Sequence, residues 1–197
     1  YQMMPQIDRW VISASLAAIS SGEIKLPTNR SCAIILSSQT LGDEAFLGFV
    51  VDALDRSGVS PSTICFEVTE TAILSNVQHA QRFIEVLHGI GCSFSLDDFG
   101  SGLGSFSSLK HLPIDYLKID GTYTRNLQTD LVNQEMVSAM IKLARTMDFK
   151  VVAEQVEHQE DFDWLREVGV DFVQGYFVEA PVRLGSGMSG TYRALTP

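Results

Sequence analysis

A parallel α/β fold, either an open sheet or a (β/α)8 barrel, is predicted by three features of the 197-residue chain. Short apolar runs alternate with longer segments of helical period, and Gly or Pro punctuates the junctions. From the second run onward, each run closes on a polar or charged residue that a core would not select. Strand, helix, strand repeated in this way calls for right-handed crossovers between parallel strands. At this length one globular unit with a sizeable core is expected.

In order along the chain, Gln6-Ile7-Asp8-Arg9-Trp10-Val11-Ile12 reads as an amphipathic helix already under way. With Tyr1 rather than Met at the start, the chain reads as a fragment. A strand is expected over 33–36 and a helix over 44–57. Gly58 and Pro61 then introduce a strand over 63–68. A helix over 76–90 ends near Gly91, ahead of a strand at 93–96. Pro113 precedes a strand at 116–119, followed by a helix over 133–148 and a strand at 151–153. A helix over 159–168 stops at Gly169, before a last strand at 172–173. The segment 182–197 is a Gly/Ser-rich tail.

A formal net charge of −10 excludes a sequence-independent nucleic-acid binder, which needs basic surface to displace counterions from phosphate. Cys32, Cys65 and Cys92 lack metal-ligand spacing, are odd in number and border apolar runs. They are expected to be buried, reduced thiols. No stretch approaches membrane-spanning length, so a cytoplasmic protein, or the cytoplasmic part of a larger one, is expected without membrane contact by this domain.

The polar run ends are Glu67, Asp97 with Asp98, Lys118, Glu154 and Gln174. In parallel strands these ends share one face, where catalytic groups of a (β/α)8 barrel gather. Strand alternation turns Phe66 and Val68 toward the helices and Glu67 toward the axis; Lys118 and Glu154 are inward by the same rule. Taken singly, Glu67 could pair with Lys118, Glu154 could cap the next helix, and Asp98 could merely cap its turn with Asp97 solvated. Convergence of four acids and a lysine on one rim argues for a site. Asp98-Phe99-Gly100 matches the kinase metal-binding tripeptide, but the phosphate loop, strand lysine and catalytic loop of kinases are absent.

Carboxylates with one lysine, and no Cys or His among them, select hard cations, Mg²⁺ or Mn²⁺, over zinc. His79, His88, His111 and His158 all lie away from strand ends. A pair of such metals activates water against a phosphodiester, which makes phosphodiester hydrolysis the leading reaction class.

Five ordered motifs then carry a resemblance. Cys65-Phe66-Glu67-Val68-Thr69-Glu70-Thr71, Asp97-Asp98-Phe99-Gly100-Ser101-Gly102, the run Leu112-Pro113-Ile114-Asp115-Tyr116-Leu117-Lys118-Ile119-Asp120-Gly121, Val152-Ala153-Glu154-Gln155-Val156-Glu157 and Gln174-Gly175-Tyr176 resemble the EAL-domain cyclic di-GMP phosphodiesterases of bacteria. The resemblance implies a (β/α)8 TIM-like barrel over 1–181, incomplete at its N-terminus for want of the first strand. It also implies metal-dependent hydrolysis of cyclic di-GMP to pGpG. Glu67, Asp97, Asp98 and Glu154 would hold Mg²⁺ or Mn²⁺. Lys118 would orient water or steady charge on phosphate, Glu154 would act as base, and Gln174 would contact water or substrate. Glu157 would brace the loop 99–105. A homodimer is implied, as are fused sensory or GGDEF-type domains in a parent protein.

Departures from the family pattern bear on activity. The Glu of the Glu-Ala-Leu motif is not in this chain. Ile35 stands where the family has a ligand Asn, and isoleucine offers no lone pair. Leu103 and Gly104 replace Tyr and Ser in the loop, and the tail does not resemble the family's closing strand and helix. Weak or absent turnover is therefore expected of this chain itself. The alternatives are a non-catalytic cyclic di-GMP sensor and a protein-interaction scaffold.

Overall fold

A computed structural model describes residues 3–28, 30–100, 110, 112–182 and 193–194. These form two compact units, one comprising residues up to 95 with 110, 112 and 113, the other 96–100, 114–182 and 193–194. The boundary falls within a strand that carries the paired acids.

In the first unit, α1 (Met4–Ser20) opens with Pro5, placed where a missing N–H costs nothing. Its buried Asp8 accepts from the Ser37 N–H at 3.0 Å and from the Thr40 hydroxyl, so this acid has partners inside an apolar face. β1 (Cys32–Ile35) pairs in parallel with β2 (Ile64–Thr69), setting Ile35 opposite Glu67. Between them lie α2 (Ser38–Leu41), α3 (Glu44–Ser57) and a 3-10 turn at Pro61–Thr63. Asp43 caps α3 through the Ala45 N–H, and Gly58 ends it with φ at 67°, a conformation costly for any residue with a Cβ. α4 (Glu70–Ser75) and α5 (Val77–Gly89) follow β2, capped by the side chains of Thr69 and Asn76.

Four rings form the centre of this unit. Phe83 of α5 lies 6.0 Å from Phe46, 6.1 Å from Phe66 and 6.2 Å from Phe94, between ring centroids, and Phe66 is 5.7 Å from Phe94. Each such ring contributes about 1.5–3 kcal/mol by burial. Because Phe66 turns toward helix α5, alternation leaves its neighbour Glu67 on the other face of β2, as the sequence pattern predicts.

In the second unit, β4 (Tyr116–Ile119) pairs in parallel with β5 (Lys150–Ala153), and β5 with β6 (Phe172–Val173). β3 (Ser93–Phe99) enters this unit at Leu96. After β4 come the single turn α6 (Gly121–Thr124) and the long α7 (Leu131–Thr146), whose first turn is capped by the Asp130 carboxylate accepting from the Asn133 N–H at 3.0 Å. α8 (Gln159–Val168) ends at Gly169, φ 86°, whose carbonyl accepts from the Arg145 guanidinium at 2.9 Å.

All six predicted strands and all five predicted helices are present, with shifts at the ends. The helix predicted to begin at 133 begins at Leu131, because Asp130 caps it two residues earlier. The strand predicted over 93–96 runs on to Phe99 and takes in both acids. The one-turn helices α2, α4 and α6 are too short for periodicity to reveal. β7 (Arg193–Ala194), antiparallel to β6, lies in the segment read as tail. Cys65 and Cys92 are buried free thiols as expected, whereas Cys32 is only half-buried. The loop departures at Leu103 and Gly104, and His111, lie outside the described residues.

Candidate metal and catalytic site

The site is assembled in the second unit by the ends of β3, β4 and β5. Successive strand residues face opposite sides, so Asp97 and Asp98 would ordinarily diverge. Asp98 instead adopts φ 55°, in the left-handed region, which breaks the alternation at the strand's end. Its N–H donates to the Asp97 Oδ1 at 3.1 Å. A non-glycine residue held there is strained, and such strain collects where geometry matters for chemistry.

Lys118, 2 % exposed, is central in β4. Its Nζ lies 3.0 Å from Asp97 Oδ1 and 2.7 Å from Glu154 Oε1. Glu154 stands one residue past β5, held by its own N–H donating to the Ile119 carbonyl at 3.2 Å. It does not cap the following helix, whose N-cap is His158. The next residue, Gln155, takes φ 52°, a second left-handed residue beside an acid.

One oxygen from each of Asp97, Asp98 and Glu154 falls within 4.8 Å of the other two, close enough to share one metal ion. Asp120, two residues beyond Lys118 and on the same side by alternation, hydrogen-bonds Asp98. The Asp98 carboxyl is pushed above the ordinary range by burial, by the Asp97 and Asp120 carboxylates and by the bond to Asp120, with Lys118 opposing. Four carboxyl groups around one ammonium leave surplus negative charge, which a divalent cation would relieve. The donors are all oxygen, the chemistry of a hard cation. On both grounds the residues fit a metal.

Gln174 follows β6, its N–H donating to Ala153 O at 2.8 Å and its carbonyl accepting from Val156 N–H at 3.0 Å. Its buried Oε1 has no hydrogen-bond partner among the described residues. Gly175 beside it must be glycine, since a Cβ would sit 2.2 Å from the Val156 carbonyl oxygen. Glu67 is buried in the first unit, fourth of the six residues of β2 and so two short of the strand end the sequence predicts for it, with Ile35, 62 % exposed, opposite it in register. Glu157 is exposed, and most of the loop assigned to it lies outside the described residues.

Asp120 carried no role in the sequence reading. The signal was available in its two-residue spacing from the inward Lys118.

Residues 1–181 match the family model described as EAL domain. The chain belongs to the EAL domain family. This EAL chain is 34 % identical over 186 residues to a cyclic di-GMP phosphodiesterase, PdeB, of Shewanella oneidensis, covering 94 % of the chain and 22 % of the relative. It is also 34 % identical over 181 residues to the cyclic di-GMP phosphodiesterase PdeF of Escherichia coli, covering 92 % of the chain and 24 % of the relative. The EAL chain therefore spans about a quarter or less of the length of these relatives.

Among solved structures, it superposes on the FimX EAL domain from Pseudomonas aeruginosa bound to c-di-GMP with TM-score 0.83 and 26 % identity, covering 91 % of this chain and 71 % of that one. The PaMucR phosphodiesterase in complex with c-di-GMP gives TM-score 0.83 and 31 % identity, covering 89 % and 71 %. With the parallel strand and helix order of each unit, these likenesses make the fold an incomplete (β/α)8 barrel. No helix of the described residues is long and apolar enough to cross a membrane.

Proposed function

We propose that this EAL domain serves cyclic di-GMP signalling, and that the protein it represents hydrolyses cyclic di-GMP to pGpG with Mg²⁺ or Mn²⁺. The observation carrying the reading is the convergence of Asp97, Asp98 and Glu154 within 4.8 Å around a buried lysine. Asp97, Asp98 and Glu154 hold the cation, joined by Glu67 as the family resemblance assigns it. A bound divalent cation supplies Lewis acidity and lowers the pKa of water.

The chain's own groups do the rest. Displaced from between two carboxylates, the Lys118 ammonium donates to a phosphate oxygen and steadies charge growing there. Glu154, in reach of the same space, accepts the proton of the attacking water. Gln174 brings a buried amide whose oxygen lacks a partner among the described residues, an acceptor suited to orienting water, while its NH2 is the donor that would meet a phosphate. Glu157 braces the adjoining loop. A homodimer, fused sensory or GGDEF-type domains and a cytoplasmic location complete the proposal.

Ile35 favours a second reading. It presents a hydrocarbon opposite Glu67, at the position of a family oxygen ligand. A site short of ligands binds metal weakly, so the chain itself turns over slowly or acts as a sensor of cyclic di-GMP. Calorimetric titration with cyclic di-GMP, with and without Mg²⁺, followed by chromatography for pGpG separates the readings. Metal-dependent pGpG supports the enzyme. Binding indifferent to metal, without product, supports the sensor, and no binding at all defeats both.

A further inference from the structure

The single turn α6 touches both acid-bearing strand ends through two adjacent hydroxyls. The Tyr123 hydroxyl donates to the Gly100 carbonyl at 2.7 Å, in the turn that follows Asp97-Asp98-Phe99. Gly100 has φ 95°, and a Cβ there would come within 2.9 Å of the Tyr123 ring and 2.5 Å of the Met140 methyl. The turn therefore lies directly on the tyrosine. The next residue, Thr124, is wholly buried, and its hydroxyl bonds the main-chain carbonyl of Glu154. Gly121, at the start of the same turn, lies under the Gln155 side chain, with room for no Cβ. Arg125 just beyond it donates to Gln155 Oε1. The N-cap of α6 is Asp120, whose Oδ1 accepts from the Thr122 N–H at 2.7 Å while its carboxyl also bonds Asp98.

We infer that α6 is a clamp that sets the spacing of the carboxylates, with Tyr123 and Thr124 as positioning residues for Asp98 and Glu154. The two acids come from strands with no covalent constraint between them nearer than the chain from 98 to 154. Each sits beside a left-handed residue, Asp98 itself and Gln155 after Glu154, so each strand end is strained and needs an external hold. One hydroxyl holds each end. Because the two hydroxyls are on successive residues of one turn, they fix the ends relative to each other. Groups that orient ligands without touching the ion commonly change metal affinity 10–100-fold when removed. The inference rests on the proposed metal-binding reading of this site.

The test uses the whole chain with Tyr123→Phe, Thr124→Val and the pair together, each of nearly unchanged volume, plus Thr124→Ser, which keeps the hydroxyl. Mn²⁺ binding is measured by calorimetry on the folded protein, and amide hydrogen exchange is followed at Phe99, Gly100, Glu154 and Val156 without metal. The double variant is expected to bind Mn²⁺ about tenfold more weakly. Its exchange at these amides should rise several-fold while exchange in α7 and β2 stays as in the parent. Thr124→Ser should restore affinity. Mn²⁺ affinity and local exchange both unchanged in the double variant overturn the clamp, as does a rise in exchange spread evenly over the chain. Should the unaltered chain bind no Mn²⁺, the metal reading fails, and the local exchange result alone decides the clamp.

Discussion

Lys118 is the residue on which the charge balance of the site turns. It is buried between Asp97 and Glu154, and removing one partner of a buried ion pair costs about 3–5 kcal/mol because the remaining charge is left uncompensated. Lys118→Met should lower the unfolding free energy of the metal-free chain by about that amount, measured in urea, and Mn²⁺ should recover more of the loss than it adds to the parent. Equal stabilisation of both proteins by Mn²⁺ would separate the lysine from the cation site. Ile35 tests the other end of the question. Ile35→Asn replaces an exposed side chain opposite Glu67, so stability should move by no more than about 0.5 kcal/mol. Mn²⁺ affinity and pGpG formation should rise; if neither does, position 35 plays no part in binding the metal.

Among the elements, α8 shows how an acid can join parts of a unit at a cost in pH dependence. Asp161, buried in the helix's first turn, accepts from the Leu127 N–H at 3.1 Å. Burial pushes its carboxyl above the ordinary range, Glu160 adds to this, and the bonds to the Leu127 and Gln128 main chain and the charge of His158 oppose it. With the folded value raised, the folded state holds the proton where the unfolded state has released it. The resulting stability is complete below the ordinary aspartate range and is lost as pH rises through the raised value. Asp161→Asn keeps an acceptor for Leu127 and removes the titration. Urea unfolding followed across this window should therefore show a falling free energy in the parent and a flatter one in the variant. Identical slopes would mean that Asp161 titrates at its ordinary value. The same scale explains what periodicity could reveal. α3, α5 and α7 each run three turns or more and repeat their apolar face, whereas α4 and α6 offer one turn or so and no repeat.

For the molecule as a whole, a cation that binds only the folded chain must stabilise it. Mn²⁺ at a hundred times its dissociation constant should raise the unfolding free energy by about 2.7 kcal/mol, and EDTA in excess of the Mn²⁺ should abolish the gain. A thermal midpoint indifferent to Mn²⁺ would count against a metal at these acids.

The sequence by itself determined the alternation of strand and helix, the face each strand turns to its helices, and the strand ends that bear Asp97, Lys118 and Glu154. These are local properties: Phe66 and Glu67 must diverge on any strand, and Gly58 and Gly169 end helices wherever they stand. The tertiary structure alone decided that Asp98 turns back to join Asp97 and that α6 ties the Gly100 turn to Glu154. Each depends on a backbone angle or a contact between residues some 20 to 30 positions apart in the chain, and no spacing along one strand encodes either.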